Sequence, residues 1–256
     1  MDSKERFSNR VETYVKYRPS YPKEAIDYLY GTVGLGKESE IADIGAGTGI
    51  FSKLLLERGS GVIAVEPNDA MRDAAERQLG GMRGFRSLRG SAEHTGLPGA
   101  SVDYIVCAQA FHWFDRGAAQ AEFGRILKAS GKAVLVWNSR LTHGTPFLEQ
   151  YDRLLRTYGT DYDKVNHKNI TTASLVSFFK RGGLQEARFA NRQVFGFEEL
   201  AGRLQSSSYA PASGHPDYAP MMEELRRVFD RNERGGKVAV EYETEIYWGE
   251  VGKPGF

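Results

Sequence analysis

The chain has 256 residues, of which 41% are hydrophobic and 26% are charged, and its formal net charge is +1 at pH 7. This length allows one sizeable α/β domain or at most two small ones, and the near-zero charge argues against nucleic acid and anionic membranes as partners. A single cysteine, Cys107, excludes a disulfide framework, and no apolar run approaches the roughly 20 residues of a membrane span, so we expect a cytoplasmic protein that binds no metal.

The N-terminal segment combines aromatic, arginine and proline residues. Residues 7–22 contain three tyrosines, two arginines and two prolines, and the prolines impose an extended path after Arg18. Two interpretations stay open. The segment is either an arm that packs its aromatic rings on the domain, or a lid in which Tyr17 and Arg18 reach the polar end of a ligand. An arginine fork suits a carboxylate.

Residues 40–138 alternate between strand and helical patterns, and a short helix precedes them. Strands that alternate with helices form a parallel sheet covered on both faces, whose ligand binds at the carboxyl ends of the strands. In chain order the patterns predict a helix at 23–30, a strand, glycine turn and helix at 40–58, a strand at 62–66, a helix capped by Asp69, strands at 85–89 and 102–108, a helix whose apolar face includes Leu127, and a strand at 132–137.

The pattern changes after residue 138. Residues 238–248 alternate apolar and polar side chains, as expected for a strand with one buried face. Gly235 and Gly236, just before it, predict a turn that reverses the chain into an antiparallel strand. The remaining segments predict amphipathic helices around 147–155, 175–179, 198–208 and 221–231, a strand at 187–195, and polar loops at 157–171 and 206–216.

Four segments meet at the carboxyl edge of the predicted sheet: the glycine turn 45–49, Glu66, the loop 91–93 and residues 109–115. Glu66 follows the second strand, 21 residues after the first glycine (66 − 45), where a carboxylate accepts hydrogen bonds from both hydroxyls of a ribose. Met71, in the next helix, is either a core residue or a platform for a flat base. These segments together predict a nucleoside ligand.

The glycine spacing selects among nucleoside ligands. Glycines at 45, 47 and 49 give G-x-G-x-G, whereas the dinucleotide fingerprint G-x-G-x-x-G requires a glycine where this chain has Ile50. Asp43 occupies a position that dinucleotide folds usually fill with an apolar residue, and no Gly-Lys-Ser/Thr follows to make a phosphate loop. An NAD-dependent dehydrogenase is therefore a distant alternative.

With these residues the chain resembles the class I S-adenosylmethionine-dependent methyltransferases, and among them the small-molecule branch that includes trans-aconitate and ubiquinone/menaquinone-biosynthesis methyltransferases. The resemblance implies a Rossmann-like three-layer α/β sandwich, with a seven-stranded, mostly parallel sheet, a last strand antiparallel beside the fifth, and a helical cap. The motifs that carry it are Asp43-Ile-Gly-Ala-Gly-Thr-Gly49, Val65-Glu-Pro-Asn68, Ala92-Glu93 with Leu97-Pro98, Val102-Asp103, Ala110-Phe-His-Trp-Phe-Asp115 and Tyr17-Arg-Pro-Ser-Tyr-Pro22.

The resemblance also implies S-adenosylmethionine as the cofactor and S-adenosylhomocysteine as the product. The glycine turn would approach the methionine part, where only glycine leaves room. Glu66 would bind the ribose, Met71 would pack on adenine, and Gln109 would close over the methionine part. The cofactor-binding residues implied in this way are Asp43, Gly45, Ala46, Gly47, Thr48, Gly49, Glu66, Pro67, Met71, Ser91, Ala92, Glu93 and Gln109.

Fewer residues indicate the acceptor. We predict Tyr17, Arg18, Tyr21 and Trp113 as substrate-binding residues, because an arginine beside aromatic rings suits an acid or a planar conjugated acceptor. His112 is the predicted catalytic residue, as a base for a hydroxyl acceptor or as an orienting group; alternatively, it forms a wall of the pocket together with Trp113. The histidines in polar loops are assigned no role: His143, His167 and His215.

The sequence therefore predicts one methyltransferase domain, 1–256, with a lid at 1–30, a cofactor-binding core at 40–138, cap insertions at 139–234 and the last strand at 237–248. Its predicted function is in-line methyl transfer to a small-molecule acceptor, first of all to oxygen, by a monomer or homodimer. A nucleic-acid or protein methyltransferase is the alternative, and the near-zero charge and the lack of an Asn/Asp-Pro-Pro-Tyr/Phe motif disfavour nucleic acid. A cofactor-binding protein without transferase activity is the alternative from another class.

Overall fold

A computed structural model describes residues 11–160, 162 and 171–253 of the chain. The first ten residues of the predicted lid, and most of the predicted loop at 157–171 with His167, lie outside the described residues. None of the helices in the described ranges is long and apolar enough to cross a membrane.

The first half of the fold alternates strictly between strand and helix, because buried strand-type runs are separated by helices with one apolar face. Two short helices precede the first strand, and a π-helical turn over Leu29–Val33 extends the second of them. The elements are α1 (Val11–Tyr17), α2 (Lys23–Tyr28), β1 (Glu40–Ile44), α3 (Ile50–Glu57), β2 (Gly61–Val65), α4 (Asp69–Leu79), β3 (Phe85–Leu88) and β4 (Val102–Ala108).

The second half adds a cap and two long strands. A 3₁₀ turn over Phe111–Trp113 follows β4. Three of the later helices pack with the ends of the last strands into a separate apolar cluster, which forms the cap. The elements are α5 (Arg116–Ile126), β5 (Leu127–Arg140), α6 (Pro146–Tyr158), α7 (Thr172–Phe178), β6 (Gln185–Phe195), α8 (Phe197–Gln205), α9 (Tyr218–Asn232) and β7 (Val238–Gly249).

The seven strands form one sheet in the order β3-β2-β1-β4-β5-β7-β6. The first five strands are parallel, and β7 lies antiparallel between β5 and β6. This confirms the predicted α/β fold with a seven-stranded sheet and an antiparallel last strand beside the fifth. Gly235 and Gly236 have φ of 62° and 74°, which fits the predicted turn before β7. The carboxyl ends of β1, β2, β4 and β5 therefore share one edge of the sheet.

Two local predictions were wrong. Asn68, not Asp69, caps α4: its backbone is extended and its side chain accepts a hydrogen bond from the Met71 N–H. Asp69 is already helical, and its exposed carboxylate pairs with Arg72. Leu127, predicted on the face of α5, is the first residue of β5 and pairs with Val102 of β4. The helix and the strand meet without a connecting turn there, so periodicity did not reveal their boundary.

Candidate functional site

The glycine turn 45–49 joins β1 to α3. All three of its glycines have left-handed backbone, with φ of 72° at Gly45, 57° at Gly47 and 81° at Gly49. A Cβ at Gly45 would lie 2.6 Å from Cβ of Ala110, and one at Gly49 would lie 2.5 Å from Cδ1 of Leu79, so these two positions have no room for a side chain. A Cβ at Gly47 would meet no atom of the described chain within 4 Å. Gly47 therefore presents bare backbone to open space, where a ligand can approach.

Glu66 stands at the end of β2 and faces the turn. Its side chain is buried, and both carboxylate oxygens accept backbone hydrogen bonds: Oε2 from the Gly47 N–H at 2.8 Å and Oε1 from the Asn68 N–H at 2.9 Å. Burial raises the pKa of Glu66, although the two N–H donors act in the opposite direction. These bonds fix the carboxylate in one orientation, with further lone pairs available to hydroxyl donors.

Two buried polar groups lie under the turn. Ser52 donates a hydrogen bond of 2.6 Å to Oδ2 of Asp43, whose side chain is fully buried at the end of β1. Asp43 Oδ1 and Thr48 Oγ1 are buried and have no hydrogen-bond partner within the described part of the chain. Since buried polar atoms are normally hydrogen-bonded, these two fit a ligand that carries polar groups of its own.

Asp43→Asn is expected to flatten the pH dependence of stability. Burial raises the pKa of Asp43 to about 7, whereas an unfolded aspartate titrates near its ordinary value. The folded state therefore binds the extra proton between those values, and the free energy of unfolding falls as pH rises through them, by about 2–3 kcal/mol between pH 5 and pH 8. Urea denaturation at both pH values measures the loss. The control variant Asp73→Asn, at an exposed position, should still lose stability between pH 5 and pH 8 as the wild-type protein does. If Asp43→Asn loses as much, Asp43 is not the group responsible.

Two adjoining pockets open at this edge of the sheet. The first, of about 750 Å³ including its open mouth, we call the Glu66 pocket. Its walls carry two acidic residues together with several apolar ones. It is lined by Gly45, Gly47, Glu66, Pro67, Asn68, Met71, Ser91, Glu93, Ala108, Gln109, Ala110, Trp113 and Phe114.

The second pocket, of about 550 Å³ including its open mouth, we call the Arg203 pocket. It shares Gly45, Gly47, Ala108 and Gln109 with the Glu66 pocket, so the two meet at the glycine turn. Gln109 has φ of 62°, an uncommon conformation for a residue with a side chain, and marks this junction. The Arg203 pocket is lined by Arg18, Pro19, Tyr21, Gly45, Ala46, Gly47, Thr48, Ile50, Phe51, Ala108, Gln109, Asn138 and Arg203.

Most of the predicted site residues come together at these pockets. Ala92 is buried between the lining residues Ser91 and Glu93. The Glu93 carboxylate accepts a hydrogen bond from the Asp115 N–H at 3.0 Å, which ties the 91–93 loop to the start of α5. Trp113, predicted on the acceptor side, lines the Glu66 pocket instead of standing with Arg18.

Two predicted residues lie beside the pockets. The Tyr17 ring packs against Gly202 of α8, while its neighbours Arg18 and Pro19 line the Arg203 pocket. His112 stacks near Trp113, with ring centroids 4.8 Å apart, and its Nδ1 accepts a long 3.5 Å hydrogen bond from Trp137 Nε1. His112 is absent from the described residues that line either pocket, whereas its neighbour Trp113 lines the Glu66 pocket, so the role of His112 stays a prediction.

Sequence reasoning missed two polar residues of the Arg203 pocket. Asn138 follows the strand predicted at 132–137, so its place at the carboxyl edge of the sheet was a usable signal. Arg203 had no such signal, because it lies on a cap helix far along the chain from every motif. Its position became visible only once α8 was packed over the sheet.

The arm from α1 to Pro22 covers the Arg203 pocket. Gln193 donates to the Tyr17 carbonyl at 3.3 Å, and Asn138 and Asn191 donate to the Ser20 carbonyl at 3.2 Å and 2.8 Å. Arg18 Nη2 in turn donates to the Ser206 carbonyl at 2.9 Å. Side chains of β5 and β6 therefore hold the arm by its backbone.

Comparison with known proteins places this geometry in context. Residues 42–135 match the family described as "Methyltransferase domain". An uncharacterized methyltransferase of Mycobacterium tuberculosis is 40% identical over 134 residues, which are 52% of this chain and 52% of that protein. The alignment thus spans about half the length of this relative.

Two further similarities extend over nearly the whole chain. An uncharacterized methyltransferase-like protein of Schizosaccharomyces pombe is 28% identical over 246 residues, covering 94% of this chain and 93% of the relative. The solved structure of a protein provisionally assigned as a type II methyltransferase, from Anaeromyxobacter dehalogenans, matches with a TM-score of 0.68 and 25% identity, covering 91% of this chain and 98% of that one.

Proposed function

We propose that this chain is a class I S-adenosylmethionine-dependent methyltransferase, and that it transfers a methyl group from S-adenosylmethionine to a small-molecule acceptor, first of all to an oxygen atom. The cofactor supplies a methyl group that its sulfonium already activates, and S-adenosylhomocysteine is the product. The protein's part is to bind, to orient and to exclude water.

The observation that carries this proposal is the meeting of two pockets at the glycine turn. Glu66 and Met71 in the first pocket suit a ribose and a flat base, and the bare backbone at Gly47 suits the link to a second group. The second pocket opens from the same turn and has room for an acceptor. Two ligands bound in this way would meet near Gln109, where in-line transfer requires them to meet.

Residues of this chain would hold the cofactor as follows. Glu66 would accept hydrogen bonds from the ribose hydroxyls, and the loop at 91–93 would border the base. The buried Asp43 and Thr48 oxygens, which lack hydrogen-bond partners in the described chain, would support the amino-acid end. The arm would close the Arg203 pocket against water, which protects the transfer from competing hydrolysis.

His112 retains two roles in this proposal. A hydroxyl acceptor must lose its proton, and His112 is the candidate group to orient or receive it. A carboxylate acceptor is already ionised and needs no base. The position of His112 beside the lining residue Trp113, with Nδ1 directed to Trp137, supports the orienting role, which His112 would exert through Trp113.

Calorimetry and a transfer assay test the proposed function. We expect S-adenosylmethionine and S-adenosylhomocysteine to bind the protein, and NAD and ATP to bind at least about 10-fold more weakly, because the glycine spacing does not match theirs. Labelled methyl groups should then pass to members of a small-molecule panel. Tighter binding of NAD would overturn the cofactor. Transfer only to nucleic acid or protein would overturn the acceptor class, and binding with no transfer to any of these would favour a regulatory binder.

The remaining features of the proposal concern the whole protein. We propose that residues 1–256 act as one methyltransferase domain, as a monomer or a homodimer, in the cytoplasm. A single cysteine, Cys107, fully buried in the sheet, is compatible with a reducing compartment. Size-exclusion chromatography with light scattering distinguishes the two oligomeric states.

A further inference from the structure

Arg203 is a buried cation without an acidic partner in the described part of the chain. It projects from α8 and is only 7% exposed. Its Nε donates to the Tyr242 hydroxyl at 3.2 Å and its Nη1 to the Ser207 hydroxyl at 2.9 Å. Among the described residues no carboxylate forms an ion pair with it. A guanidinium buried in this way is costly unless something supplies negative charge.

A second buried arginine in the same cap shows the usual arrangement. Arg140 pairs with Asp152 through an N–O contact of 2.6 Å, and Tyr162 accepts a further hydrogen bond from it. Arg140 is thus neutralised within the protein, and it is not among the described residues that line the Arg203 pocket. The contrast indicates that the missing counter-charge of Arg203 is a property of its position and not of the whole cap.

The walls of the two pockets differ in charge. The Glu66 pocket carries Glu66 and Glu93, whereas the Arg203 pocket carries Arg18 and Arg203 and no Asp or Glu among its described lining residues. Burial raises the pKa of Tyr209, yet that pKa is lowered overall, since the charges of Arg203 and Arg140, a hydrogen bond with Ser207 and the charge of Arg18 together outweigh the effect of burial. The interior around the Arg203 pocket is therefore positive.

Arg203 lines the same pocket as the glycine turn, but its anchor lies far along the sheet from the proposed ribose contact at Glu66. The cofactor contacts lie at the ends of β1, β2 and β4, while Arg203 is anchored to Tyr242 on β7. Three strand spacings separate β7 from β1 in the order β1-β4-β5-β7, which is about 14 Å at the usual spacing.

We propose that Arg203 binds a carboxylate group of the methyl acceptor, so that the substrate class of this enzyme is small carboxylic acids. The inference rests on the proposed methyltransferase function and adds the chemistry by which the acceptor is recognised. The planar guanidinium fork matches a carboxylate, and the acceptor would bring the negative charge that the described residues do not provide.

Matched acid and amide pairs test the wild-type protein directly. Benzoate with benzamide, and succinate with succinamide, are titrated into protein saturated with S-adenosylhomocysteine. We expect at least one acid to bind about 10-fold or more tightly than its amide, since the pair differs chiefly in charge. Equal binding within every pair, or no binding of any acid, would overturn the proposal. Failure of S-adenosylhomocysteine itself to bind would instead overturn the proposed function.

Variants then assign the effect to Arg203. Arg203→Gln should weaken binding of the acid about 30-fold and leave the affinity for S-adenosylmethionine within about twofold of the wild-type value. Arg203→Lys keeps the charge but not the planar fork, so its affinity for the acid should lie between those of the wild type and Arg203→Gln. If both ligands weaken equally in Arg203→Lys, Arg203 binds the cofactor's own carboxylate and the proposal fails. If Arg203→Gln does not fold, the Arg203→Lys variant and the comparison of acids with amides in the wild-type protein still test the proposal.

Arg140→Gln is the matched control, a second buried arginine of the cap that lies outside the pocket lining. Removing it leaves the buried Asp152 carboxylate with Arg156 and the Tyr162 hydroxyl but without its more buried cation, so the melting temperature should fall. The preference for acid over amide should survive in the folded protein. Loss of that preference in Arg140→Gln would show that cap stability, and not Arg203, governs acid binding, which would also contradict the proposal.

Discussion

Glu66→Ala is expected to weaken binding of S-adenosylmethionine about 100-fold. The wild-type carboxylate would accept two charge-assisted hydrogen bonds from the ribose, each worth about 1.5 kcal/mol or more. The variant also removes the acceptors of the Gly47 and Asn68 N–H groups, at 2.8 Å and 2.9 Å, which position the turn itself. Both effects weaken cofactor binding, and titration calorimetry with S-adenosylmethionine measures their sum.

A second variant and a control separate these effects. Glu66→Gln keeps the shape of the side chain, but directs an amide NH₂ at one of two N–H donors, so it should also lose most of the affinity. Glu76→Gln removes the same charge from an exposed position on α4 and should bind normally. Wild-type affinity in a folded Glu66→Ala protein would place the ribose site elsewhere.

Gly202→Ala is expected to detach the N-terminal arm from the cap. A Cβ at this position would lie 2.2 Å, 2.5 Å and 2.6 Å from three atoms of the Tyr17 ring, closer than any van der Waals contact. Helix propensity alone predicts the opposite, since alanine in place of glycine within a helix usually stabilises by about 1 kcal/mol. We expect the clash to dominate, because the ring is held in place by the arm's hydrogen bonds to β5 and β6.

Limited proteolysis and ligand binding measure this effect. Trypsin should cleave after Lys16 about 10-fold faster in Gly202→Ala, since a detached helix opens locally far more often. Binding of acid ligands should weaken as well, because Arg18, Pro19 and Tyr21 of the arm line the Arg203 pocket. Gly124→Ala is the control, because Gly124 is an exposed residue of α5. A Cβ added there would meet no atom of the described residues within 4 Å, so this variant should leave cleavage and binding unchanged. Unaltered cleavage in Gly202→Ala would show that the Tyr17 ring moves aside while the arm stays bound, which would contradict the prediction.

Local patterns predicted those parts of the molecule that local interactions determine. Strand β4 was predicted at 102–108 and lies there, and β7 alternates buried and less buried residues as its period of two requires. The cap of α4 was misassigned by one residue, because Asn68 and Asp69 are both good capping residues and only the backbone conformation decides between them. The start of β5 was missed for a similar reason: Leu127 is apolar in either structure.

The sequence by itself determined the α/β fold, the glycine turn and the placement of Glu66 opposite it, because strand periodicity, left-handed glycines and the carboxyl edge of a parallel sheet all follow from short stretches of chain. Only the tertiary structure decided what surrounds the Arg203 pocket. Arg18, Asn138 and Arg203 are far apart in sequence and meet because the arm, the sheet and the cap pack together. Whether a buried charge has a partner depends on that packing, and no local pattern records it.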